Sequence, residues 1–203
     1  MPITLETGDL VLVNANPPPS HWVMALFDAA IQYFTHSVYS HVAIVLRDPP
    51  FVAEKGLYVW ESGWEYGTRD PQDGLCKLGV QVTPWTSFVA NNTGQLYIRQ
   101  RSRSCPPITD DDLNSIHTTV YGTPYDANPL DWMLAIWRKD LAPQKTDRFW
   151  CSALVAYILV RLGVLAESVD WSIVRPADLS SQSNTLVFLE RYEPDTRLIG
   201  NVP

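Results

Sequence analysis

The chain has 203 residues, 46% apolar and 18% charged, which suits one compact domain spanning residues 1–203 and is too apolar for a disordered chain. Fifteen Lys and Arg against 22 Asp and Glu give a net charge of −7, the wrong sign for gripping phosphate backbones, so nucleic acid is not an expected partner. The three cysteines, Cys76, Cys105 and Cys151, form no CxxC pair and have no histidine at metal-ligand spacing, which argues against a disulfide framework, a metal site or a cofactor. Free thiols fit a reducing compartment, where each is either packing material or chemically used. The segment 1–7 lacks a basic stretch followed by an apolar run, and the longest apolar tract, around 152–160, falls short of the roughly 20 residues a crossing helix needs. A cytoplasmic protein without stable membrane insertion is expected.

In chain order, Gly8-Asp9-Leu10-Val11-Leu12-Val13 predicts a buried strand starting at a glycine. Three prolines, Pro17 to Pro19, lead to Ser20 as an N-cap, and the apolar positions from Trp22 to Phe34 recur at helical spacing. The polar face of that helix lacks the Lys and Arg of a lipid-binding helix, so ordinary packing is expected. Ser40 to Leu46 and Leu57 to Ser62 read as adjacent antiparallel strands around the turn-rich Asp48-Pro49-Pro50. Further strands follow at Val80-Gln81-Val82, before Pro84, and at Gln95 to Arg99. The alternation Arg99, Arg101, Arg103 fits the solvent face of a strand.

Beyond Cys105-Pro106-Pro107 the pattern turns helical. Thr109 or Asp110 caps a helix with Leu113, Ile116 and Val120 on one side, and Asp110 to Asp112 complement the positive end of its dipole. A short helix is predicted from about Pro129 to Arg138, and another from about Trp150 to Leu162, stopped by Gly163. Pro176 to Leu179 reads as a turn and Thr185 to Leu189 as a strand. The fold class is therefore α+β, an antiparallel sheet or partial barrel packed against helices.

Three side chains carry the chemistry. Cys151 stands in the first turn of a buried helix, where unpaired backbone N–H groups and the dipole favour a thiolate. His41 breaks an otherwise apolar strand and is a candidate proton acceptor for that thiol. Glu61 lies in the next strand; if the hairpin turns near Phe51 and Val52, it falls within one or two residues of a position opposite His41, where it can orient the imidazole. His21, His36 and His117 have no apparent carboxylate partner and are expected to be structural or solvent-facing.

The strings Gly8-Asp9-Leu10-Val11, Ser40-His41-Val42-Ala43-Ile44-Val45, Trp60-Glu61-Ser62, Gly122-Thr123-Pro124-Tyr125-Asp126, Phe149-Trp150-Cys151-Ser152-Ala153-Leu154-Val155 and Pro176-Ala177-Asp178-Leu179 together resemble the circularly permuted branch of the NlpC-type papain-like cysteine peptidases. These are often called YiiX-like and also occur in poxviruses and other large DNA viruses. In ordinary members the Cys helix precedes the His strand; here the His strand comes first, as permutation implies. The resemblance implies a permuted papain-like fold with the cysteine at a helix N-terminus. It implies amide or peptide hydrolysis through a thioester, with Cys151 as nucleophile, His41 as general base and Glu61 as the His-orienting group. It also implies a cleft lined by Tyr125, Asp126 and Trp150, although a Pro-anchored turn with a packed tyrosine accounts for Tyr125 and Asp126 equally well. The partner expected is a peptide or amide-containing substrate, lipid-linked ones included; in a viral setting the enzyme could be packaged in the virion. Two other functions remain open at this point: lipid-directed acyl transfer or deacylation within the same superfamily, and a non-catalytic structural or virion-associated role.

Overall fold

The computed structural model describes residues 3–14, 38–64, 68–92, 94–125 and 146–198. The predicted helices over 22–34 and 129–138, together with His21, His36 and Asp126, lie outside the described residues. Strands β1 (Leu10–Asn14), β2 (His41–Arg47), β3 (Leu57–Trp64), β4 (Leu78–Pro84), β5 (Gln95–Arg99) and β6 (Thr196–Arg197) form one open sheet in the order β4-β3-β2-β1-β5-β6. Every pairing in it is antiparallel. Helices α1 (Trp85–Asn91), α2 (Asp110–Val120) and α3 (Cys151–Arg161) complete an α+β architecture with two 3₁₀ turns, Trp171–Ile173 and Pro176–Leu179.

The central strands are buried because both faces of the sheet are covered, so they read as continuous apolar runs instead of alternating ones. On one face Leu10, Leu12, Val42, Ile44, Trp60, Val80 and Val82 join a core with Leu154, Val155, Ile158 and Leu159 of α3. On the other, Val11, Val13, Ala43, Val45 and Val59 pack with Trp85 and Phe88 of α1. Those four α3 side chains are fully buried, each stabilising the fold by about 1.5–3 kcal/mol through transfer from water. Gly163, at φ +70°, ends the helical run in the left-handed conformation that a Cβ disfavours. At the start of α2 Thr109 and Asp112 form a reciprocal capping box, the Thr109 Oγ1 accepting from the Asp112 N–H and the Asp112 carboxylate from the Thr109 N–H. Among the described residues no helix is long and apolar enough to cross a membrane.

Two expectations need correction, and one element is new. Thr185–Leu189 forms no strand: Phe188 makes one isolated bridge to Leu165, and Val187 and Leu189 are exposed. The outer edge of β5 is already paired by β6, and Phe188 is spent beneath the Arg99 guanidinium, 4.3 Å from its ring centroid. The arginine alternation is not a solvated face. Arg101 is buried and forks onto Glu190, Arg103 grips the fully buried Asp9 at 2.9 Å, and Arg99 donates to the Leu179 carbonyl at 2.7 Å. The strand itself ends at Arg99; neighbouring loops cover Arg99 and Arg101, while Arg103 keeps about half of its side chain in solvent. Finally, α1 has no counterpart in the sequence-based reading, since seven residues are too few to display helical periodicity.

Candidate active site

His41 is the first residue of β2, and its partner on β1 is Val13. The β2–β3 register runs Ile44↔Trp60, Val45↔Val59, Leu46↔Tyr58 and Arg47↔Leu57. Continued to the strand end, it sets Glu61 opposite Ala43, two residues from direct opposition to His41 and on the same face. That diagonal offset is bridged by side-chain length. His41 Nε2 and Glu61 Oε2 are 2.7 Å apart, with the carboxylate fully buried and the ring one-fifth exposed. The ring lies beside Gly63, where a Cβ would sit 3.5 Å from His41 Cε1, an ordinary van der Waals contact.

The other Glu61 oxygen is also engaged: Thr83 Oγ1, on β4, donates to Oε1 at 2.6 Å. Gln81, directly opposite Glu61, is buried too, yet its Nε2 has no hydrogen-bond partner among the described residues. Neither residue was singled out from the sequence. Thr and Gln in a strand look like ordinary sheet residues until the register of β3 on β4 is known.

Cys151 is the first residue of α3, with Trp150 as N-cap and no side-chain capping bond, so the amides of the first turn have no intrahelical acceptor. Two contacts hold this helix entrance. Ser62 Oγ donates to the Phe149 carbonyl at 2.6 Å, and Ser152 Oγ donates to the Val174 carbonyl at 2.7 Å. The His41 ring and the Cys151 thiol are near enough for the charge of one to act on the other. Because Nε2 faces Glu61, Nδ1 is the ring nitrogen left for the sulfur. The body of α3 packs on the face of the sheet opposite the one where His41 lies near Phe88.

His41 holds its proton to a pH well above the ordinary histidine range. Burial alone works the other way, lowering its basicity, but the charge of Cys151 and its hydrogen bond, followed by the hydrogen bond and charge of Glu61, outweigh it. In a proton NMR titration of His41, Cys151→Ser is therefore expected to lower the midpoint more than Glu61→Gln does. The reverse order would mean that the carboxylate dominates the site.

Tyr125 is half-buried and bridges in parallel to Phe149, two residues before Cys151. Its N–H donates to the Leu78 carbonyl at 3.2 Å and the Phe149 N–H donates to Pro124 at 3.1 Å. It thus braces the approach to the helix. Trp150 is half-buried, with Nε1 3.4 Å from the Val174 carbonyl. His117 stands apart, stacked on Phe51 at 4.1 Å between ring centroids and held below the ordinary histidine basicity by burial. Cys76 is exposed and Cys105 half-exposed. Among the described residues no cluster of three or more His, Cys, Asp or Glu side chains could hold a metal ion. No family model matches the chain, and no curated protein shows significant similarity to it.

Proposed function

We propose that the protein is a cysteine hydrolase that cleaves an amide or peptide bond through a thioester, built on a permuted papain-like fold of the NlpC type. The single observation that carries this reading is the convergence of Cys151, His41 and Glu61 from a helix start and two strands that are distant in sequence. The chain order His41, Glu61, Cys151, with the cysteine helix after the first five strands, supports the permuted arrangement.

In the proposed reaction the Cys151 sulfur attacks the carbonyl carbon, its proton residing on His41 Nδ1. The carbonyl oxygen gains charge beside the free Cys151 N–H at the helix start, which supplies one oxyanion donor. As the C–N bond breaks, His41 returns the proton to the leaving amine, and a thioester remains. Water then attacks the thioester, giving a proton to His41, and the C–S bond breaks to release the acid and restore the Cys151 thiolate beside protonated His41. Glu61 keeps the ring oriented and stabilises its cationic form.

A library of acyl amides, with lipid esters as a parallel panel, tests this. Cys151→Ala is expected to abolish amide turnover, and mass spectrometry of the parent should trap an acyl adduct on Cys151. The alkaline limb of the rate profile should lie above the ordinary histidine range, because the amine-protonating form of His41 is lost only as pH rises through its raised pKa. Turnover of esters alone would favour lipid deacylation, and turnover retained in Cys151→Ala would remove the thiol from the mechanism.

A further inference from the structure

We propose that Thr83 is a positioning residue that fixes the Glu61 carboxylate so that one oxygen faces His41; this rests on the hydrolase reading above. Glu61 is fully buried, and its two oxygens divide their partners, Oε1 taking the Thr83 hydroxyl at 2.6 Å and Oε2 facing His41 at 2.7 Å. A glutamate has enough side-chain torsions to swing its carboxylate about a single contact, and two contacts on opposite oxygens remove that freedom. Thr83 suits the task because it is itself fixed. It is fully buried, β-branched and therefore stiff at χ1, and it sits in the longest ladder of the sheet, paired with Val59 within an unbroken run from Tyr58↔Pro84 to Trp64↔Leu78.

The placement of Gln81 strengthens the assignment. It is the residue directly opposite Glu61, buried, with an amide donor that has no acceptor among the described residues. The carboxylate is instead held by the diagonal hydroxyl of Thr83, which turns Oε2 toward β2. Without that hydroxyl, Oε1 would be a buried unpaired acceptor beside a buried unpaired donor, and the two would be drawn together. The carboxylate would then turn toward β4 and away from His41. Thr83 acts on the chemistry only through Glu61 and His41.

The test uses the full-length protein with Thr83→Val, which removes the hydroxyl while keeping the shape, and Thr83→Ser, which keeps it. Three readouts are compared: the His41 NMR titration midpoint, kcat and KM on an amide substrate, and the thermal unfolding midpoint. Among the described residues, the groups facing His41 are Cys151, Glu61 and the uncharged ring of Phe88, whose centroid lies 6.3 Å away. Thr83→Val is expected to lower the His41 midpoint by about 0.5–1 pH unit and kcat by about tenfold with KM unchanged, Thr83→Ser restoring both. If Thr83→Val fails to fold, Thr83→Ala and Thr83→Ser provide the same comparison. An unchanged His41 midpoint and kcat in a folded variant lacking the hydroxyl would overturn the proposal. Because the titration needs no substrate, a lowered midpoint in a protein that turns over no amide would uphold the positioning role while refuting the hydrolase reading.

Discussion

Replacing His41 with alanine is expected to slow alkylation of Cys151 by iodoacetamide at pH 6 by about 10- to 100-fold, leaving Cys76 and Cys105 at their former rates. The comparison within one molecule is informative because exposure predicts the opposite ranking. Cys76 is exposed and Cys151 is only 5% accessible, so three ordinary thiols would label with Cys76 first and Cys151 last. Preferential labelling of the buried thiol in mildly acidic solution requires that its proton has been taken by a neighbour, and His41 is the base whose charge and that of Cys151 act on each other. Peptide mapping after alkylation between pH 5 and 9 reads the effect. Slow labelling of all three cysteines, rising together in alkali in both parent and His41→Ala, would leave the thiol without an activating base.

The second large effect concerns stability. Gly79→Ala is expected to cost about 3 kcal/mol in denaturant unfolding, against about 1 kcal/mol for Gly74→Ala. Both glycines have positive φ, +145° and +73°, but their surroundings differ. A Cβ on Gly79 would lie 2.4 Å from the Thr123 carbonyl oxygen and 2.8 Å from Pro124 Cα, whereas nothing stands within 4 Å of one on Gly74. The obstacle at Gly79 is backbone, which no rotamer change can clear. Relief requires parting β4 from 123–125, where Val80 N–H donates to Thr123 at 2.9 Å. Since Phe149 hangs from Pro124 by its own N–H, the displacement would pass to the start of α3, and the alkylation rate of Cys151 should fall with the stability. Equal costs at the two glycines would show that this close approach is dispensable.

Much of the secondary structure was legible in the chain. The β-branched run Val42-Ala43-Ile44-Val45 could only be a buried strand, and the apolar stripe from Cys151 to Leu162 closed by Gly163 could only be a core helix. The hairpin centre near Phe51 and Val52 agrees with the observed Arg47↔Leu57 pairing, which keeps His41 and Glu61 on one face. Short or context-dependent features were not legible. The seven residues of α1 show no clear period, and Thr185 to Leu189 has the composition of a strand but meets an edge of β5 that β6 already occupies. The arginines alternate as a solvated face would, and only the loops carrying Glu190, Leu179 and Phe188 turn Arg99 and Arg101 inward, while Arg103 stays exposed.

Residue type and local period are written in neighbouring positions, so the sequence by itself determined the α+β class, the helix start at Cys151 and the choice of His41 and Glu61 as the side chains to watch. Contacts across strands depend on register and loop closure over tens of residues, which no local pattern encodes. Only the tertiary structure decided that Glu61 sits diagonal to His41, that Thr83 and not Gln81 holds its second oxygen, and that Ser62 anchors Phe149 ahead of the thiol.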